Sequence, residues 1–209
     1  MGYTTLLDII GSTIVGGFLL MILFRMNDTS VQYNYQYSGE QIVQQNIVDV
    51  VRLLEYDFRK IGYCSDWTKI PDPAKAIILA DSNRINFLTD LVTTGNPYGD
   101  GVVDTLKYYL GSKSSLSSTP NPNDMLLYRV ANSTTAAGSN LGVTQFKLTY
   151  FDANGTKITT MPASPPFGIA AIQIDIAVEN TAAYGNDYST DKKVIWRQVR
   201  LATRNLILR

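Results

Sequence analysis

The sequence predicts an α+β fold in which a long N-terminal helical spine packs on an antiparallel β-sheet head. Three patterns carry this reading. Sixteen residues from Ile9 to Phe24 contain no charge, Glu40–Ile61 carries a helical apolar period, and the later chain alternates short strand-like runs with turn signals. The expected divisions are an apolar helix over 1–26, a joint and amphipathic spine helix over 27–62, and an antiparallel β head over 63–209 that packs on the spine.

The apolar run, IIGSTIVGGFLLMILF, extends upstream through Leu6 and Leu7 with Asp8 as the only interruption. At about 1.5 Å per residue such a helix approaches the hydrocarbon thickness of a bilayer. A secretory signal peptide has a basic leader, a shorter apolar core and a small-residue cleavage site. Nothing basic precedes this run, so it reads as retained. Gly11, Gly16 and Gly17, with Ser12 and Thr13, allow close approach of another helix, and Asp8 sets a carboxylate within the apolar stretch. Both features suit helix packing; a single-pass anchor with Asp8 hydrated at the interface is the plainer alternative. Arg25 marks the water boundary.

Asn27–Gly39 is polar, with Tyr33, Tyr35 and Tyr37 at a strand-like spacing, and is expected to be an extended or partly melted joint. Beyond it, Ile42, Ile47, Val50, Val51, Leu54, Phe58 and Ile61 form one apolar face, separated by Gln44, Gln45, Asp49, Arg52, Glu55 and Arg59. Ser38 is a candidate N-cap and Gly62 a stop after a basic last turn. The spine helix therefore needs an apolar partner.

The expected strands are 76–80, 84–88, 105–110, 125–131, 144–151, 169–178 and 194–201, the last with an apolar run on to Leu208. Ile172, Ile174, Ile176 and Val178 alternate with Gln173, Asp175 and Ala177, which suits a sheet with one buried face. Asn154-Gly155 is a hairpin turn and 111–124 a Ser/Pro/Asn-rich loop. The one-sided sheet and the amphipathic helix supply each other's core.

Composition narrows the chemistry. The chain of 209 residues has no histidine and one cysteine, with 18 basic residues against 18 acidic. The usual general base, the usual metal ligand and any internal disulfide framework are therefore missing, and an enzyme is the least expected class. Asp90, Asp100 and Asp104 invite a calcium-loop reading, although their spacing is not that of an EF-hand and Asp-Gly also makes ordinary turns. Cys64 is read as a buried thiol at the helix end or as an intermolecular disulfide partner. Arg197, Arg200, Arg204 and Arg209 could form a basic stripe, but strand alternation sets Arg197 opposite Arg200, favouring solvated or inter-subunit pairing; no nucleic acid is expected as a partner. Asn132-Ser133-Thr134 and Asn154-Gly155-Thr156 match the short glycosylation acceptor pattern.

The opening GYTTLLDII, then LLEYDFRKIGYCSD with its acidic-x-Arg pair, ADSNRINFLTDL, DGVVDTLKYYL, MLLYRV, GVTQFKLTYFDANGT and RQVRLATRNLILR together resemble the type IV pilin-like superfamily. The likeness is strongest to minor pilins and the J-type pseudopilins of type II secretion, and it covers nearly the whole chain. The resemblance implies a structural subunit held in the bacterial inner membrane and then packed, with copies of itself or other pilin-like subunits, into an extracellular filament or periplasmic pseudopilus. It also implies that Asp8 neutralises the N-terminal amine of a neighbouring subunit and sets the axial register. No cofactor is implied. Alternatives are a low-copy minor pseudopilin that primes or tips a secretion or pilus machine, and a membrane-tethered ligand-binding β domain. The sequence departs from the family in three ways. No short basic leader precedes Gly2, and a cut there would place Asp8 one position beyond the usual glutamate. The helix-kinking proline and the C-terminal cysteine pair are also missing.

Overall fold

The computed structural model describes residues 2–132, 134, 136–161, 166, 168–180, 194–202 and 204–207. One helix, α1 (Gly2–Arg59), runs for 58 residues, or about 87 Å. Among the described residues eight strands follow: β1 (Ile77–Ala80), β2 (Arg84–Thr89), β3 (Asp104–Leu110), β4 (Met125–Ala131), β5 (Ala137–Phe151), β6 (Lys157–Ile158), β7 (Ala171–Glu179) and β8 (Val194–Ala202), with a last helical turn α2 (Arg204–Ile207). All seven expected strands are present, with ends shifted by a few residues; β6 and an N-terminal extension of β5 are additions. The last strand stops at Ala202, where the expected run toward Leu208 turns helical. The α+β expectation is borne out.

The expected joint over Asn27–Gly39 is absent, because α1 continues through it without a break. A lone alternating segment has no strand beside it to satisfy its backbone, whereas the helix satisfies each N–H and C=O internally. No proline precedes Pro71 to interrupt that ladder. Ser38 is consequently an interior residue and not a cap. The packed face is also rotated from the expected one: Val43 is buried and Ile42 is 56% exposed. The buried positions 43, 47, 50, 51, 54, 58 and 61 recur three or four apart with Val50 and Val51 adjacent, whereas Ile42 lies five before Ile47.

The strands form one antiparallel sheet in the order β1-β2-β3-β4-β5-β7-β8, with β6 beside the end of β5. The sheet curls. The β1–β2 turn folds onto the β5 edge, where the Leu148 N–H donates to the Ser82 carbonyl at 2.7 Å and the Tyr150 hydroxyl to the Asp81 carbonyl at 2.8 Å. Inside the curl the second half of α1 meets Ile85, Phe87, Leu106, Tyr108, Phe146, Ile172, Ile174 and Ile176 in one core. Phe58 lies edge-on to Phe87 with ring centres 5.6 Å apart and is tilted against Tyr108 at 5.8 Å. The one-sided pattern fails at β7, whose outward Asp175, Ala177 and Glu179 are also buried. Asp175 lies beneath Gln198 and Gln173, which donate to its carboxylate at 2.7 and 3.2 Å.

Candidate assembly surface and the head that carries it

Helix α1 has two different halves. From Leu6 to Met26 every large apolar side chain is at least 48% exposed, whereas beyond Gly39 one face is sunk in the head. The first half meets the length and apolarity needed to cross a membrane, with a mean hydropathy of 2.2 over eighteen residues. Burial of each such side chain contributes about 1.5–3 kcal/mol, so this surface has tens of kcal/mol to gain from lipid or from other helices.

Asp8, Ser12 and Gly16 follow one another at steps of four and share a face; Thr13 and Gly17 repeat the small-residue spacing beside them. A β-carbon added at Gly11, Gly16 or Gly17 would meet nothing within 4 Å, leaving room for a neighbouring backbone. The hydroxyls of Ser12 and Thr13 donate to the Ile9 carbonyl at 2.9 and 2.7 Å. They bring no unpaired donor into an apolar setting. Asp8 is exposed, and its carboxylate forms no ion pair or hydrogen bond among the described residues.

Where α1 ends in the head, a buried polar group ties it to the sheet. Asp57, 1% exposed, accepts from Arg129 through Nε at 2.7 Å and Nη2 at 3.2 Å, and also from the Tyr108 hydroxyl. Tyr108 and Arg129 are cross-strand partners on β3 and β4. Burial first, and then the Asp57 charge, push the Tyr108 phenol upward; the hydrogen bond to Asp57 pushes the Arg129 guanidinium upward despite burial. The guanidinium stays charged and the phenol neutral. Sequence reading assigned Asp57 to a pair with Arg59 and missed this group. The available signal was position: Asp57 lies three residues after Leu54 and four before Ile61, on the apolar stripe itself.

Asp90 organises the loops at the same end of the head. Its fully buried carboxylate accepts N–H groups from Ser65 at 2.9 Å and from Asp100 and Gly101 at 3.0 Å each. Burial acts to raise its pKa, but those backbone donors outweigh burial and hold it below the usual carboxylate range. Gly99, at φ +104°, lies so close that a β-carbon would sit 2.0 Å from an Asp90 oxygen. Asp104 turns elsewhere and accepts from the Leu91 N–H at 2.7 Å and from the Asn132 amide, while Asp100 accepts from the Val102 N–H at 3.0 Å. These three carboxylates therefore hold backbone. Among the described residues no group of three His, Cys, Asp or Glu side chains could hold a metal.

Cys64 is buried, with its thiol 3.7 Å from an Asp90 oxygen; burial, reinforced by that carboxylate, pushes the thiol up. Arg197 and Arg200 are both exposed, and the Arg200 guanidinium lies 3.9 Å from the centre of the Phe151 ring. The Arg204 side chain and Arg209 lie outside the described residues, as does Ser133 of the first acceptor pattern. The Asn132 amide oxygen accepts from the Thr105 N–H at 2.8 Å, so both ends of that amide are engaged. Asn154 sits in an exposed turn in which Asp152 accepts its N–H at 2.9 Å.

No family model matches the chain, and no curated protein matches it. Among solved structures it is similar to a type IV-like pilin from Thermus thermophilus, with 11% identity over 78% of this chain and 97% of that one, and a TM-score of 0.49.

Proposed function

We propose that the chain is a type IV pilin-like subunit whose exposed half-helix lies in a membrane before assembly and in the core of a helical filament afterwards. The observation that carries this reading is the continuity of α1, in which one rigid helix presents an apolar half to its surroundings and fixes the other half inside the head. A bundle of such helices removes the apolar surface from water and leaves the heads outside. Head-to-tail contacts that do not close into a ring extend such a bundle along an axis. The ordered motif resemblance supports the same reading.

Within the bundle Asp8 is the register residue. A carboxylate that enters an apolar core without a partner is costly, so it selects the axial offset at which a neighbour's N-terminal amine meets it. Asp8→Ala is expected to spare membrane insertion and impair assembly. The test is electron microscopy of sheared surface fibres from cells that express the chain, probed with an antibody to the head. Labelled filaments that disappear in the Asp8→Ala strain support the proposal; expressing cells without labelled filaments, or unchanged filaments in the mutant, overturn it.

A further inference from the structure

On the face of the sheet opposite α1, a cavity of about 540 Å³ opens over β1, β2 and β3, lined by Leu79, Asp81, Arg84, Lys107, Tyr109 and Leu110 among others. That size falls within the usual range for small-ligand sites. We infer that this cavity is a binding site for an acidic saccharide, with the sugar ring against Tyr109 and its carboxylate held by Arg84 and Lys107.

The aromatic wall is preorganised. Arg84, Tyr109 and Tyr128 stand in cross-strand register on β2, β3 and β4. The two tyrosine rings stack with centres 5.0 Å apart and planes 16° from parallel. Tyr128 can lie flat beneath its neighbour because Gly111 and Gly138 have no β-carbon; one placed there would come within 2.7 and 2.8 Å of ring carbons. Tyr109 is thus braced on the Tyr128 side and lines the cavity, with the Lys107 ammonium 6.0 Å from its ring centre. A braced ring loses little entropy when a ligand lies on it, and the C–H face of a pyranose supplies the matching apolar surface.

Charge selects an acid. Lys107 is exposed, and Arg84, whose side chain is 52% exposed, pairs among the described residues only through Nε with Asp81 at 2.8 Å. Two cations therefore border the cavity against one carboxylate. Asn83, in the exposed β1–β2 turn, adds to the lining an amide that suits hydroxyls. A nucleotide offers a stacking base and a phosphate to the same groups, so an oligonucleotide is the competitor that the test must exclude. The site does not depend on filament formation.

The test uses the full chain in detergent micelles and calorimetric titration with a glucuronate-containing tetrasaccharide, its carboxyl-reduced counterpart and a short single-stranded oligonucleotide. Saturable binding of the acidic sugar is expected, weakened about tenfold or more by carboxyl reduction and by Lys107→Gln or Arg84→Gln. Tyr109→Ala should abolish binding and Tyr109→Phe retain it, while Arg52→Gln, an exposed position on α1, leaves it unchanged. No saturable binding of the acidic sugar overturns the inference. So does binding indifferent to Lys107→Gln and Arg84→Gln, or a tighter oligonucleotide complex sensitive to the same substitutions.

Discussion

The carboxylate of Asp57 and the guanidinium of Arg129 meet side-on through hydrogen bonds of 2.7 and 3.2 Å, although 72 positions separate them in the chain. The pair fastens the end of the spine helix to the middle of the sheet, and the Tyr108 hydroxyl donates to the same carboxylate.

Removing both partners should cost less than the two single removals add up to. Asp57→Ala leaves a guanidinium facing the core, and loss of one partner of a buried pair typically costs about 3–5 kcal/mol. The Arg129 side chain is 34% exposed, so water screens it and the expected loss is about 3 kcal/mol. Asp57→Leu with Arg129→Met should be less destabilised than the sum of the single variants. Urea denaturation of the four proteins in a double-mutant cycle checks this, and strict additivity would contradict the pairing.

Asp90 predicts an acid-sensitive head. Its folded pKa lies below the unfolded value of about 3.9, so its stabilisation is complete above that unfolded value and fades as pH falls through the lower folded one. Asp90→Asn should lower stability at neutral pH and flatten the acid limb of the stability curve. Thermal melts between pH 2 and 7 read both effects, and an unchanged acid limb would remove Asp90 from the account.

Gly99→Ala should act on the same loop by a different route. The left-handed backbone and the contact with Asp90 make it expensive by about 2 kcal/mol or more. Gly95→Ala is the control: it shares the positive φ but has open space around it, so it should cost less. Equal destabilisation of the two variants would show that the Asp90 contact contributes nothing.

Cys64 should react slowly. A buried thiol whose pKa is raised presents little thiolate. Alkylation with iodoacetamide at pH 8 should be at least about tenfold slower in the native chain than in urea. Labelling as fast as in urea would place the thiol at the surface and reopen the intermolecular disulfide reading.

Lipid-facing or bundle-facing roles for the N-terminal half are separable at Gly16. Gly16→Ile keeps the segment apolar, so insertion should be retained, while close helix approach along the Asp8–Ser12–Gly16 face is blocked. Membrane fractionation together with fibre yield distinguishes the two, and normal fibre yield would exclude that face from the packing surface.

The sequence by itself determined the architecture. An uncharged run, a helical apolar period and seven alternating segments each encode a local geometry, and their unpartnered apolar faces leave few ways to pack. Tertiary structure decided what those periods do not encode. Whether Asn27–Gly39 continued as helix depended on the lack of any strand to pair with it. The alternation in β7 marked one buried face, but Gln173 and Gln198 close over the other. Asp57 looked like the acidic half of an i,i+2 motif, and Asp90 like a cation ligand, until folding supplied Arg129 from β4 and three backbone N–H groups from distant loops. A buried charge takes its role from the groups that replace its water, and those partners come from segments that only the closed fold brings together.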